Sequence, residues 1–132
     1  MKSLFAICLV FMLFTTCNTN PSRKIVGEWK QYYGEADETS FNTLNFTYNI
    51  TLTPENELKI SDSASPERIF LDISFSEDIL SFSTRFPGGK SSNTVHYKLK
   101  FNSETKLLEG HILSNSSREQ SKISWKRVKS SK

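Results

Sequence analysis

One stretch of this chain alternates between apolar and polar residues with a strict period of two. Leu44, Phe46, Tyr48, Ile50 and Leu52 occupy every second position, and only Asn and Thr stand between them. Successive side chains of a β-strand point to opposite faces, so this stretch predicts a strand with one buried and one hydrated face. An amphipathic helix would need a period near 3.6, which the stretch does not have.

The same alternation recurs along the rest of the chain. It places on shared faces Ile25, Gly27, Trp29 and Tyr33, then Ile69, Leu71, Ile73 and Phe75, then Leu80, Phe82 and Phe86, then Val95, Tyr97, Leu99 and Phe101, and last Ile123, Trp125 and Arg127. Turn-forming residues lie between these runs, at 54–57, 61–66, 76–78, 87–90, 103–106 and 115–121. We therefore predict an all-β fold, an antiparallel up-and-down meander of about eight strands that closes as a barrel or a sandwich. Residues 34–40 are the one segment in which we expect a helix or a lid.

The first 16 residues have the organisation of an export signal. Lys2 supplies a positive charge, and residues 4–14 form an apolar run of eleven, which is shorter than the roughly 20 that a spanning helix needs. Cys17 follows at a position that resembles the lipidated cysteine of bacterial lipoproteins. We expect a signal peptide at 1–16, a lipid-anchored tether at 17–23 and a single domain at 24–132. The chain would then belong to the cell envelope as an outer-membrane lipoprotein. The alternative is ordinary cleavage nearby, which would give a secreted protein with a stray thiol.

The first predicted strand begins with Gly27-Glu28-Trp29. This start resembles the Gly-X-Trp motif of lipocalin-like proteins, which are small antiparallel β-barrels. The resemblance implies that Trp29 packs across one end of a barrel and that an Arg from the last strand lies against its ring. Arg127 is the candidate for that Arg, and Gly27 would let the facing ring come close to the backbone. We expect Gly27, Trp29 and Arg127 to close one end of the barrel.

Charge is divided unevenly along the chain. Residues 18–85 carry six Lys or Arg and eleven Asp or Glu, whereas residues 86–132 carry ten and three. The basic residues of the second half alternate with apolar ones, as at Lys98, so they belong to a hydrated sheet face. We therefore expect no nucleic-acid partner, and contact with a membrane through the lipid anchor only. In a barrel the first strand meets the last, so we expect Glu28 to face Lys126.

The residues that most often carry catalysis are sparse. His96 has the parity opposite to the apolar residues beside it and should point outward, and His111 lies on a strand whose parity the sequence leaves open. Neither has a Cys, Asp or Glu at metal-ligand spacing, and no Ser stands in a Gly-X-Ser-X-Gly motif. We expect no enzyme activity, no catalytic residues, no metal site and no cofactor.

Aromatic residues dominate the predicted interior. They are Trp29, Phe46, Tyr48, Phe75, Phe82, Phe86, Tyr97, Phe101 and Trp125. A barrel of eight strands is either filled by its own side chains or holds one small ligand, and both outcomes use the same residue types. We predict binding of a small hydrophobic or amphipathic ligand, with Trp29, Tyr48, Phe82 and Tyr97 as the candidate contacts. The alternative is an inhibitor-like protein-interaction or assembly module of the envelope, with a filled barrel and another protein as its partner.

Overall fold

The computed structural model describes residues 20–34, 47–88, 93–116 and 120–128. A short 3₁₀ helix, Pro21–Ile25, precedes eight β-strands. The strands are β1 (Gly27–Tyr33), β2 (Thr47–Leu52), β3 (Leu58–Asp62), β4 (Ile69–Ser76), β5 (Ile79–Arg85), β6 (Val95–Phe101), β7 (Leu108–Ser114) and β8 (Gln120–Arg127). Within the described ranges, no helix has the length and apolar character needed to cross a bilayer.

The strands form one antiparallel sheet that curls into a nearly closed barrel. Their order is β3-β2-β1-β8-β7-β6-β5-β4, so each strand except β3 and β4 has a hydrogen-bonded neighbour on both sides. The first and last strands pair directly, with Trp29 opposite Arg127 and Tyr33 opposite Ile123. The remaining opening lies between β3 and β4. The prediction of an all-β, eight-stranded up-and-down meander is confirmed.

An up-and-down meander places alternate connections at opposite ends of the barrel. One end carries the 3₁₀ helix and the turns at residues 53–57, 77–78 and 102–107, and we call it the helix end. The other end carries the connections that follow β1, β3, β5 and β7, and we call it the loop end. The core lies between them and consists mostly of aromatic and branched aliphatic side chains.

The 3₁₀ helix forms part of the folded domain at the helix end. The side chain of Asn20 accepts a hydrogen bond from the Ser22 amide and caps the helix, and Ile25 is fully buried. The Trp29 indole donates to the Ile25 carbonyl at 2.8 Å. Residues 20–23, which the sequence analysis assigned to the tether, are therefore packed onto the barrel. Cys17 lies outside the described residues.

The prediction of which β4 side chains point inward is correct only for the second half of the strand. A register irregularity separates Leu71 from Ser74 in the pairing with β5, and Asp72 between them has a φ of 54°. A β-bulge adds one residue to a strand and so reverses the face that the preceding side chains occupy. Phe70, rather than Ile69 or Leu71, packs against the core, whereas Ile73 and Phe75 point inward as expected.

Two further expectations are wrong. Phe86, assigned to the interior, is 45% exposed because it follows the end of β5 at the loop end. Lys126 lies opposite Lys30 rather than Glu28, because the pairing of Trp29 with Arg127 shifts the β1–β8 register by two residues. Glu28 instead accepts a hydrogen bond at its backbone carbonyl from the amide of Val128.

Candidate functional site

Five aromatic rings from five strands meet in the barrel interior. They are Tyr48, Phe70, Phe82, Tyr97 and Trp125. Tyr48 stacks on Trp125 and Phe82 stacks on Tyr97, each with ring centroids 4.5 Å apart. Phe70 meets Tyr48 edge to face and lies 5.8 Å from Phe82. Offset-stacked and edge-to-face pairs at these separations are the favoured geometries of aromatic contact.

Three of the four candidate ligand contacts belong to this interior cluster. Tyr48 is fully buried, Phe82 is 3% exposed and Tyr97 is 5% exposed. Trp29, the fourth candidate, is fully buried as well, but it belongs to the helix end, where it contacts Arg127. The candidates therefore contact one another or other parts of the protein, and a ligand in the described part of the interior would have to displace rings that are already packed.

The cluster becomes polar toward the loop end. The Tyr48 and Tyr97 hydroxyls share a hydrogen bond of 3.2 Å, and Arg68 donates from Nη1 to the Tyr48 hydroxyl at 3.4 Å. Burial is the main cause that raises the pKa of both tyrosines above the usual range, because the phenolate would lose its hydration. The two hydroxyls therefore remain protonated at neutral pH and act as hydrogen-bonding groups.

An ion pair completes this polar group. Asp62, the last residue of β3, has a fully buried side chain, and its Oδ2 lies 3.3 Å from Nε of Arg68. Its other oxygen accepts a hydrogen bond from the Ala64 amide at 2.9 Å. The guanidinium of Arg68 also stands 4.9 Å from the ring of Phe86. Arg68 thus links the buried carboxylate and the Tyr48 hydroxyl to an exposed ring at the loop end.

Sequence reasoning missed both members of this ion pair and one buried amide. It placed Asp62 in a turn, although Leu58, Ile60 and Asp62 share a parity that would have marked the carboxylate as inward-facing. Gln31, which is 1% exposed, accepts a hydrogen bond from the Trp125 indole at 2.9 Å. Its position could have identified it, because Gln31 lies two residues after Trp29 in β1 and so shares its inward face.

Gly27, Trp29 and Arg127 meet at the helix end. The Arg127 guanidinium carbon stands 4.4 Å from the Trp29 ring centroid, and Arg127 donates to the carbonyls of Lys24 and Val26. Gly27 has a φ of +141°, and a Cβ there would lie 2.5 Å from Nη1 of Arg127. The space beside Gly27 is thus filled by the guanidinium rather than by an aromatic ring. Burial lowers the pKa of Arg127, but a guanidinium stays charged at any physiological pH.

Both histidines are exposed on the outside of the barrel. Ser83 Oγ lies 2.8 Å from Nδ1 of His96, and Oδ1 of Asn115 lies 3.0 Å from its Nε2. The imidazole is therefore held on the outer sheet face by one polar side chain at each ring nitrogen. Across the described ranges, no three His, Cys, Asp or Glu side chains come together in a way that could hold a metal ion.

The chain was compared with known proteins at the level of families, curated sequences and solved structures. No family model, no curated protein and no solved structure matches it.

Proposed function

We propose that this protein is a non-enzymatic interaction module of the cell envelope, in which a filled lipocalin-like barrel holds an outer surface in place for a protein partner. The observation that carries the proposal is the packing of the predicted ligand contacts. Trp29, Tyr48, Phe82 and Tyr97 are each 5% exposed or less. Interiors packed in this way are rigid, because displacing a ring opens a void or strains its neighbours.

Tryptophan fluorescence tests this proposal directly. Trp29 and Trp125 are both fully buried, and Trp125 contacts the ring cluster. We expect no saturable change in emission, and no rise in melting temperature, when palmitate, retinol or haem is added to the protein from residue 18 onward. A saturable quench together with a rise in melting temperature would contradict a filled barrel, since a ligand that binds only the native state raises its stability.

A second candidate function is supported by the polar group at the loop end. The Arg68 guanidinium and the hydroxyls of Tyr48 and Tyr97 converge where the barrel wall is open between β3 and β4. Such a group suits the anionic end of a small amphipathic molecule, whose apolar part would replace rings of the cluster. In this case palmitate would bind and retinol, which has no charge, would bind less well.

Arg68→Met separates the two candidates. It removes the charge and keeps most of the apolar length of the side chain. If the ligand is anionic and amphipathic, palmitate affinity falls by about tenfold or more, whereas a filled barrel shows no palmitate binding with either protein. Arg85→Met, an exposed arginine of β5, serves as the control.

We also propose that Cys17 attaches the protein to a membrane through a lipid, with residues 1–16 removed as a signal peptide. Its support is the order of charged, apolar and small residues before the cysteine. Cells fed a labelled fatty acid should label the wild-type protein, and Cys17→Ser should abolish the label. Equal labelling of the two proteins would refute the anchor.

The proposed lipocalin-like relationship has two supports, the Gly27-Glu28-Trp29 start and the eight-stranded meander.

A further inference from the structure

The outer face of strands β6 to β8 carries a row of basic side chains. Register pairs Lys98 with His111 and His111 with Lys122, so the three lie side by side across neighbouring strands. All three are exposed. Adjacent strands are about 4.8 Å apart, so the row spans roughly 10 Å. Lys100 lies two residues after Lys98 on the same face of β6, and it extends the basic surface toward the helix end.

A groove of about 490 Å³ runs over this face. Its rim is formed by the basic side chains of Lys98, Lys100 and His111 together with one carboxylate, Glu109, which lies opposite Lys100. Ile79 and Leu113 contribute apolar surface. Both apolar residues point outward, since Ile79 lies opposite Lys100 and Leu113 opposite His96.

Gly110 forms part of the groove floor, because the two strands come together there. A Cβ at this position would lie 1.9 Å from the Lys98 carbonyl oxygen and 2.9 Å from the Leu99 Cα. Only glycine therefore lets β6 and β7 approach this closely, and a side chain here would point to the inward face, as those of its partners Leu99 and Ile123 do. We call the groove and its basic rim the basic groove.

The basic groove lies on the far side of the barrel from the point where the chain enters. Asn20 donates to the carbonyl of Asn56 in the turn between β2 and β3. In the strand order, β2 is separated from β7 by β1 and β8, and β3 from β6 by the opening, β4 and β5. Cys17 and Asn20 are three positions apart, a reach of about 10 Å. An anchor at Cys17 would therefore lie close to the β2–β3 turn at the helix end, across the barrel from strands β6 and β7 that carry the basic groove.

From this placement we infer that the basic groove binds an acidic, extended segment of another protein that carries at least one apolar side chain. The ammonium groups on the rim complement carboxylates, and the apolar surface at Ile79 and Leu113 accepts the apolar side chain. This inference rests on the proposed function, since it names the surface and the partner chemistry of the interaction module.

Two other anionic partners fit less well. An anchor at Cys17 would attach the chain to the bilayer beside the β2–β3 turn, across the barrel from the groove. Glycans and single-stranded nucleic acids are commonly held by exposed rings on which sugars or bases stack. Among the residues that the structure gives to this groove, Tyr97 is the aromatic one, and its ring is buried in the core.

A pair of synthetic peptides tests the inference. The first is an extended peptide of about ten residues that alternates Glu with Leu and Ser, and the second has the same charge with every Leu replaced by Ser. Fluorescence anisotropy should show saturable binding of the first peptide to the protein from residue 18 onward, and weaker binding of the second. Raising salt from about 50 to 200 mM should weaken both, because exposed charges are screened.

Charge reversal locates the site. Lys98→Glu with Lys100→Glu should lower the affinity for the first peptide by about fivefold or more. The control pair is Lys59→Glu with Lys106→Glu, which makes the same change of charge at exposed positions on β3 and in the β6–β7 turn. This control should bind the peptide within about twofold of the wild type.

Several results would overturn the inference. They are no saturable binding of either peptide, equal affinity for the two peptides, equal losses in the two double variants, or tighter binding to anionic phospholipid vesicles than to the first peptide. Failure here is distinguishable from failure of the proposed function. A ligand-induced quench of the tryptophans would contradict the filled barrel even if the peptide binds. A filled barrel with no peptide binding would leave the interaction module in place and move its contact elsewhere.

Discussion

The two ends of this barrel use an arginine in opposite ways. At the helix end, Arg127 lies over the ring of Trp29 and donates to backbone carbonyls. At the loop end, Arg68 faces the buried carboxylate of Asp62 and a tyrosine hydroxyl, beside the opening in the wall. Backbone carbonyls stay in place whatever the side chains are, whereas the partners of Arg68 are side chains that can be exchanged. The comparison suggests a fixed closure at one end and an adjustable polar group at the other.

The largest expected effect is at the helix end. Trp29→Ala should lower the free energy of unfolding by about 3–5 kcal/mol, because it removes a fully buried ring and leaves a cavity under Arg127. Urea unfolding followed by circular dichroism measures the change. Phe86→Ala, at an exposed ring of the loop end, is the control and should cost well under about 1 kcal/mol. A loss below about 1 kcal/mol for Trp29→Ala would mean that the closure is not what holds this end.

Breaking the ion pair at the loop end should lower the free energy of unfolding nearly as much. Replacing both of its members with apolar residues should lower it little. Asp62→Ala alone should destabilise by about 3 kcal/mol, since it leaves the largely buried Arg68 without its carboxylate. Asp62→Leu combined with Arg68→Met should regain most of that loss, because an apolar pair has no desolvation penalty. The same urea titrations measure the free energy of unfolding of the single and the double variant. A double variant as unstable as the single one would show that the loop end is as fixed as the helix end.

Gly27→Ala should have a smaller effect, of about 1–3 kcal/mol. The added methyl group would meet Nη1 of Arg127, and the backbone there has a φ of +141°. Gly88→Ala also introduces a side chain at a positive φ, but with open space around it, so it isolates the backbone contribution at the loop end. If the two variants lose equal stability, the contact with Arg127 adds nothing to the closure.

The smallest effect is a loss of stability in alkali. Burial raises the pKa of Tyr48 and Tyr97 in the folded state above the unfolded value near 10. Their contribution to stability is therefore complete below about pH 10 and declines above it, by at most about 1.4 kcal/mol per pH unit for each tyrosine. Urea midpoints from about pH 8 to 11 measure the slope, and Tyr97→Phe should make it shallower. An unchanged slope would show that Tyr97 is ionised as readily in the folded protein as in the unfolded chain.

The local parts of this fold could be predicted from the sequence, and the non-local parts could not. Strict alternation, as at Tyr48 and Ile50, follows from the pleat of a strand and needs no tertiary information. The bulge at Asp72 and the register of β1 against β8 depend on how distant strands fit together. The pairing of Asp62 with Arg68 spans a turn whose geometry the sequence does not specify. The sequence therefore predicts the rings of the candidate site and the hydroxyls of Tyr48 and Tyr97, but not the ion pair of Asp62 and Arg68 beside them.

The opening between β3 and β4 determines where the chain could be cut without separating two paired strands. All hydrogen-bonded neighbours in the sheet are consecutive in sequence except β1 and β8, which are the first and last strands of the domain. The backbone of Glu28 is hydrogen-bonded to that of Val128, so the two ends of the barrel sequence lie side by side. Linking them and cutting the chain between β3 and β4 would give a circular permutant in which all neighbouring strands follow one another along the chain. Such a permutant would break no ladder of the sheet and would form every ladder between strands that are consecutive along the chain, with the opening left between its first and last strands.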